Sequence, residues 1–257
     1  MENIAPQPPT AAQAAWLNSP LGQRVYQRER KLIADTLTQV FGWQLLQIGL
    51  WGDEHGLLEG ARTQCKAVVS SQPLPPNAQI SSICSRLDAL GIASDSIDAV
   101  LLPHTLEREP NPHELLREVS RILPGDGQLI LLGFRPFSSW GLRNLLAGSG
   151  FPPGTERYLS EHRVRDWLQL LGFEVTAAQR YLFTLPYGSA APGGQRFLEN
   201  IGTKLWPILA GAYMLRARKR VYTLTPIRPR WRLRSQLVGG LVESGTRLQP
   251  MKNESEN

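Results

Sequence analysis

Ser96-Ile97-Asp98-Ala99-Val100-Leu101-Leu102-Pro103-His104-Thr105-Leu106-Glu107, continued by Asn111-Pro112-His113-Glu114-Leu115-Leu116-Arg117-Glu118-Val119-Ser120-Arg121-Ile122-Leu123-Pro124-Gly125-Asp126-Gly127, decides the fold. Ile97–Leu102 is an apolar run of strand length that Pro103 ends. Asn111 stands at an N-cap position, Pro112 at the first helical position, and Glu114 completes a capping-box pattern. Leu115, Leu116, Val119, Ile122 and Leu123 then recur at helical spacing, and Pro124-Gly125-Asp126-Gly127 stops the helix. Gln128–Phe134 follows with almost no polar break, as a parallel strand covered on both faces requires.

Outward from this unit the same alternation repeats. Leu21, Val25, Leu32, Ile33, Leu37, Val40 and Phe41 make a helical stripe over 20–41, opened by Ser19-Pro20 and closed by Gly42. Trp43–Gly49 reads as a buried strand running into a turn, and a helix is expected around 54–62. Lys66–Ser70 and Gln79–Cys84 read as further strands. A Gly/Pro-rich stretch spans 133–154, a helix is expected near 160–171, and strands at 173–181 and 213–222. Strand and helix in alternation give an α/β, doubly wound sheet. Its ligand crevice lies beyond the carboxyl ends of the strands, at Gly49–Gly52, Ser70–Ser71, Pro103–Leu106 and Phe134–Pro136.

The quoted stretch is similar, in order and spacing, to the second half of the type 11 methyltransferase domain. Trp16-Leu17-Asn18-Ser19-Pro20-Leu21-Gly22, Gly133-Phe134-Arg135-Pro136-Phe137-Ser138-Ser139-Trp140-Gly141-Leu142-Arg143, and Gly211–Arg220 resemble a proteobacterial subgroup of that family, so the resemblance covers about 16–222. It implies a class I methyltransferase: a three-layer, mostly parallel, seven-stranded Rossmann-like sheet that uses S-adenosyl-L-methionine. The domain is expected over 16–225, between a disordered 1–15 and a basic, disordered 226–257.

The resemblance implies a cofactor site that is altered here. Gln47-Ile48-Gly49-Leu50-Trp51-Gly52 stands where the family has an acid, an apolar residue and Gly-x-Gly; Trp51 replaces the second glycine and Gly52 is a shifted substitute. Ser70 and Ser71 occupy the place of the ribose-binding acid. Ser85 and Arg86 occupy that of the adenine-binding aspartate, with Asp88 two residues on. Pro103 ends the strand beside the expected methyl position. Loss of both acids removes about 3–6 kcal/mol, roughly two to four decades of affinity. Trp51 either stacks on the adenine or fills the pocket. His104 is the general-base candidate; the alternative is that it orders the turn after Pro103. Arg135 is a candidate for an acidic substrate or a solvated loop charge. Trp140 and Tyr158, with Arg143 and Phe151, either roof a substrate pocket or pack a loop-rich cover. His55, His113 and His162 read as surface or helix-end residues.

Composition narrows the classes. Hydrophobic residues make 42% of 257, enough for a substantial core. No apolar run reaches the roughly 18–20 residues of a membrane span, and 1–15 lacks a secretory pattern. Cys65 and Cys84 form neither a disulfide framework nor a metal-ligand spacing. A cytoplasmic, metal-free protein is expected. The net charge of +6 is concentrated: residues 216–257 hold ten Lys/Arg against three acids, while the remainder is near neutral. The stretch 216–234, with Arg216, Arg218, Lys219, Arg220, Arg228, Arg230, Arg232 and Arg234 around Trp231, suits nucleic acid or an anionic surface, or is a solvated strand end and tail. A nicotinamide enzyme is weakly supported, with no Gly-x-Gly-x-x-Gly after the first strand and no acid near the second. Two functions remain: a methyltransferase acting on a small-molecule or macromolecular acceptor, or a non-catalytic protein that keeps the fold and binds a partner protein or nucleic acid.

Overall fold

The computed structural model describes residues 11–53, 56–75, 79–147, 150–183, 186, 210–220 and 245. The chain divides into Met1–Tyr222 and Thr223–Asn257. In the second unit only Gly245 is described, so the expected tail falls outside the described residues.

In the first unit α1 (Ala11–Leu17) and α2 (Pro20–Leu37) precede β1 (Gln44–Ile48), β2 (Cys65–Ser70), β3 (Ser81–Cys84) and β4 (Ala99–Pro103). Then come α3 (Pro112–Ile122), β5 (Gln128–Phe134), α4 (Ser139–Ala147), α5 (Glu161–Leu170), β6 (Phe173–Tyr181) and β7 (Ala212–Lys219). The seven strands form one sheet in the order β3-β2-β1-β4-β5-β7-β6. All pairings are parallel except those of β7, which runs antiparallel to β5 and β6. After β3 the chain returns past β1 to lay down β4, so the strand order reverses between β1 and β4, where a doubly wound sheet opens its crevice.

Alternation along β4 explains its unbroken apolar sequence. Ala99 and Leu101 join a core with Val25, Ile33 and Leu37 of α2; Val100 and Leu102 join the opposite core, with Leu115, Leu116 and Val119 of α3 and Val164 and Leu168 of α5. Both faces of the strand are covered, and no polar position is tolerated.

Several expectations are corrected. Residues 11–15, expected to be disordered, lie in α1, whose Leu17 packs into the α2 core. Residues 56–60 form turns in place of the expected helix; Gly60 there comes close to Ala34 of α2, where a Cβ would lie 3.0 Å from the Ala34 Cβ. The Gly/Pro-rich 133–154 contains α4, opened by the Ser138 hydroxyl, which accepts from the Gly141 N–H at 3.1 Å. Asn111 precedes α3 without a side-chain cap bond. The arginine stretch begins inside the sheet. Arg216 donates to Gln128 and Gln39, Arg218 pairs with Asp126, Lys219 donates to the Ser120 and Leu123 carbonyls, and Arg220 pairs with Glu174. These four charges are committed to partners within the domain, and 221–234 lie outside the described residues.

Leu116 is fully buried between α3 and the sheet. Leu116→Ala is expected to lower unfolding free energy by about 2–5 kcal/mol, read as a lower urea midpoint at unchanged slope.

Candidate functional site

Gly49 follows β1 with φ +86°, and its N–H donates to the Val69 carbonyl of β2. A Cβ here would lie 2.7 Å from Thr105 Oγ1, and the Thr105 hydroxyl donates to the Ile48 carbonyl at 2.6 Å. Glycine is therefore required both by the backbone and by the close approach of the loop after β4. This places the turn after β1 against the turn after β4, as the sheet order demands.

Every residue of the β1 turn is then taken up by the protein. The Leu50 carbonyl accepts from Arg108 Nη1 at 2.6 Å. Gly52, φ +76°, lies under the ring of Tyr26 from α2, which a Cβ would meet at 2.3 Å. Gly52 thus serves packing against α2. Trp51 is fully buried. Its ring centroid lies 4.4 Å from that of His104 and 6.0 Å from those of Phe134 and Trp16. Of the two roles open to Trp51 in the sequence, the structure has it filling the crevice between β1 and β4.

Beneath the indole is a buried polar network. Glu29 of α2 accepts from Trp51 Nε1 at 2.5 Å through Oε2, and its Oε1 accepts from the Tyr181 hydroxyl at 3.0 Å and lies 3.0 Å from His104 Nε2. His104 Nδ1 lies 3.0 Å from Glu107 Oε2, and Glu107 Oε1 accepts from the Phe134 N–H. Glu29, His104, Glu107, Trp51 and Tyr181 are all buried. Burial alone would push the His104 imidazole down; the charges of Glu29 and Glu107 and their bonds to it override this and hold it at about 9. Burial also raises Glu107, with His104 and the Phe134 N–H pulling it back. The His104 shift is the one the geometry enforces, because carboxylates face both ring nitrogens. His104 also has φ +54°, a conformation rare for a non-glycine residue and held here by its surroundings. The flanking carboxylates favour the imidazolium form; both nitrogens are engaged, and the ring stacks on Phe134 at 4.2 Å. Both ring nitrogens being engaged within the protein fits the alternative that His104 orders the turn after Pro103.

The remaining candidates divide. Gln47 is buried at the end of β1; its Nε2 donates to the Gly49 carbonyl at 3.0 Å, and its Oε1 has no partner among the described residues. Ser70 is buried and accepts from the Gln72 N–H at 3.2 Å. Ser85 donates to the Arg86 and Ala89 carbonyls, and its N–H reaches the Ser70 carbonyl, so these two candidates are neighbours. Arg86 is forked onto Asp88. Pro103 is buried in β4. Trp140, which the sequence leaves as roof of a substrate pocket or packing of a cover, is fully buried, stacked on Phe134 at 5.8 Å and close over Gly211. Tyr158 is half-buried; its ring stacks on Phe134 at 5.4 Å and its hydroxyl donates to the Phe151 carbonyl. Arg135 is half-buried with Nη1 3.5 Å from the Ala210 carbonyl. Burial lowers its pKa.

Tested against the group the fold implies, the crevice gives a divided result. The orphan Gln47 acceptor suits an N–H donor of S-adenosyl-L-methionine. Against it, the buried Trp51 indole lies between the β1 and β4 turns, 4.4 Å from the His104 ring, where the fold presents the methionyl end.

Residues 57–131 match the methyltransferase domain family. The uncharacterized protein YafS of Escherichia coli (strain K12) is 33% identical over 211 residues, covering 82% of this chain and 82% of that protein. Among solved structures, an S-adenosylmethionine-dependent methyltransferase from Thermotoga maritima, described as a possible histamine N-methyltransferase, superposes with TM-score 0.57 at 15% identity, covering 80% of this chain and 93% of that one. One from Mesorhizobium loti gives 0.52 at 14% identity over 74% and 96%. The [4+2]-cyclase SpnF gives 0.53 at 19% identity over 77% and 83%. At these identities the structural likeness is one of fold, and the cyclase illustrates that the fold by itself leaves the reaction open.

A histidine pKa raised in the folded state stabilises most below its ordinary value of 6.5, and that stability is lost as pH rises through about 9. Raised Glu107 contributes a loss of the same sign, starting from its ordinary value of 4.5. Urea unfolding is therefore expected to give falling stability from pH 6 to pH 9.5, with a shallower fall in His104→Gln. An equal fall in both proteins would show that His104 is neutral in the fold.

Proposed function

The chain belongs to the methyltransferase domain family, and on that premise we propose that it is an S-adenosyl-L-methionine-dependent methyltransferase whose resting state is closed by its own Trp51. The observation that carries this reading is the Gln47 side-chain oxygen, buried at the crevice end of β1 without a partner among the described residues. A buried orphan acceptor is costly, and native structures keep few of them without a use. The acceptor lies at the carboxyl end of the strand from which a doubly wound sheet presents its ligand. Opening requires the Trp51 indole to leave Glu29. Thr105 and Gly49 hold the two turns at their present separation, and Tyr158 and Arg135 stand at the β5 side for the methyl acceptor.

A second reading is favoured by the completeness of the Glu29 network. All of Glu29's contacts are satisfied by the protein itself, which suits a fold kept for binding a partner without the cofactor.

Calorimetric titration with S-adenosylmethionine and S-adenosylhomocysteine separates the two. Under the first reading the native protein binds S-adenosylhomocysteine, and Trp51→Ala tightens that binding by about tenfold or more, since the site no longer has to be vacated. No heat from either protein up to millimolar ligand would favour the second reading. Gly49 is unsuited to this test, because any side chain there collides with Thr105.

A further inference from the structure

On the far side of the segment that carries Tyr158, the chain has a second concavity. Arg157 and Leu159 line it, while Tyr158 between them stacks on Phe134. The cavity, of about 280 Å³, lies where the first turns of α3 and α5 come together, and its other lining includes His113, Glu114, Arg117, Arg163 and Trp167. We propose that this cavity is an anion site for the phosphate group of a small phosphate monoester, held by Arg117, Arg157 and Arg163.

The case rests on three arginines lining one cavity with a single carboxylate in its lining, whereas several arginines elsewhere are paired. Arg30, Arg86, Arg121, Arg165 and Arg180 each meet a carboxylate. Arg117 and Arg163 meet none among the described residues, and Arg157 reaches Glu156 only at 3.8 Å. The arginines are nevertheless positioned. Arg157 Nη2 donates to the Glu109 and Pro110 carbonyls at 3.3 and 3.0 Å. The Arg163 guanidinium lies 5.0 Å over the Trp167 ring, one helical turn on, and the His113 ring packs 3.9 Å from the same indole. Arg117 sits in the second turn of α3, from which long side chains lean back toward the N-terminal end.

Three arginines thus line one cavity with a single carboxylate, Glu114, among them. Like charges gathered in a concavity repel unless an anion joins them. A guanidinium fork matches phosphate oxygens in geometry and charge. The volume falls just below the roughly 300–1,000 Å³ of drug-sized pockets, which suits a phosphate with a short carrier group. The cavity is separated from the Trp51 crevice by the Tyr158–Phe134 stack, so this site stands or falls independently of cofactor binding.

The test is calorimetry of the full chain with inorganic phosphate, glycerol 3-phosphate, glycerol and acetate. Glycerol 3-phosphate and phosphate are expected to bind saturably below about 1 mM, glycerol and acetate weakly or not at all. The double variant R117Q/R163Q should lose about tenfold or more in affinity, and Glu114→Gln should tighten binding by removing the opposing charge. All three side chains are exposed, so the variants keep the fold, which circular dichroism checks. No saturable heat up to about 10 mM phosphate ester, acetate binding as tight as phosphate, or undiminished affinity in R117Q/R163Q would each overturn the assignment.

Discussion

A single carboxylate in the middle of α2 organises this molecule. Glu29 is fully buried, and three side chains from three separate parts of the chain converge on it: Trp51 from the turn after β1, His104 from the turn after β4, and Tyr181 from the end of β6. Taking a carboxylate out of water costs several kcal/mol, and only the imidazolium and the two further donors offset it. The cost of breaking such a pair by removing one member, about 3–5 kcal/mol, falls on the charge left behind. Burial of Glu29 therefore requires that α2, the crevice turns and the far edge of the sheet all be in place together. It also decides what fills the crevice, since the indole is held there by the same oxygen pair that holds His104.

The same constraint accounts for the altered glycine motif. A second glycine at position 51 would leave the cluster without its indole donor and without the ring that covers His104. Gly52 follows because the chain, after seating Trp51, must pass under Tyr26 with a positive φ. Trp51 and Gly52 are parts of one arrangement that docks α2 on the sheet.

The fold was legible because its signals are local and of one kind. β4 and β5 are covered on both faces and so have no polar position, and α3 begins at a proline and ends at a Pro-Gly turn. α4 was hidden by Gly141, which its sequence position makes look like loop. The structure explains that glycine by packing: a Cβ there would meet the Pro136 carbonyl oxygen at 1.8 Å. The turn at 56–60 resembles a helix in sequence because Leu57 and Leu58 are apolar and buried in either backbone form. The site was legible only in part. Trp51 as a filling residue follows from its size and position. For His104 the sequence leaves base and turn-ordering roles open, because what engages its two nitrogens is not all local. They are engaged by Glu29, 75 residues upstream, and by Glu107. One trace did exist. Glu29 falls four residues after Val25 and four before Ile33, on the apolar stripe of α2, where an acid has no place unless something buried answers it.

This bears on how the crevice and the arginine cavity relate. Both lie beyond the carboxyl ends of the strands, and only the Tyr158 segment parts them. Tyr158 hangs its ring on Phe134, the residue whose backbone N–H is held by Glu107 and whose ring covers His104. Displacing Trp51 removes one of the rings around Phe134 and leaves the Tyr158 stack and the Glu107 bond in place. Phe134 is anchored through Glu107, and Arg157, next to Tyr158, is fixed on the Glu109 and Pro110 carbonyls. Glu29 thus holds the β1 side and Glu107 the β5 side, and His104 sits between them, within 3.0 Å of both.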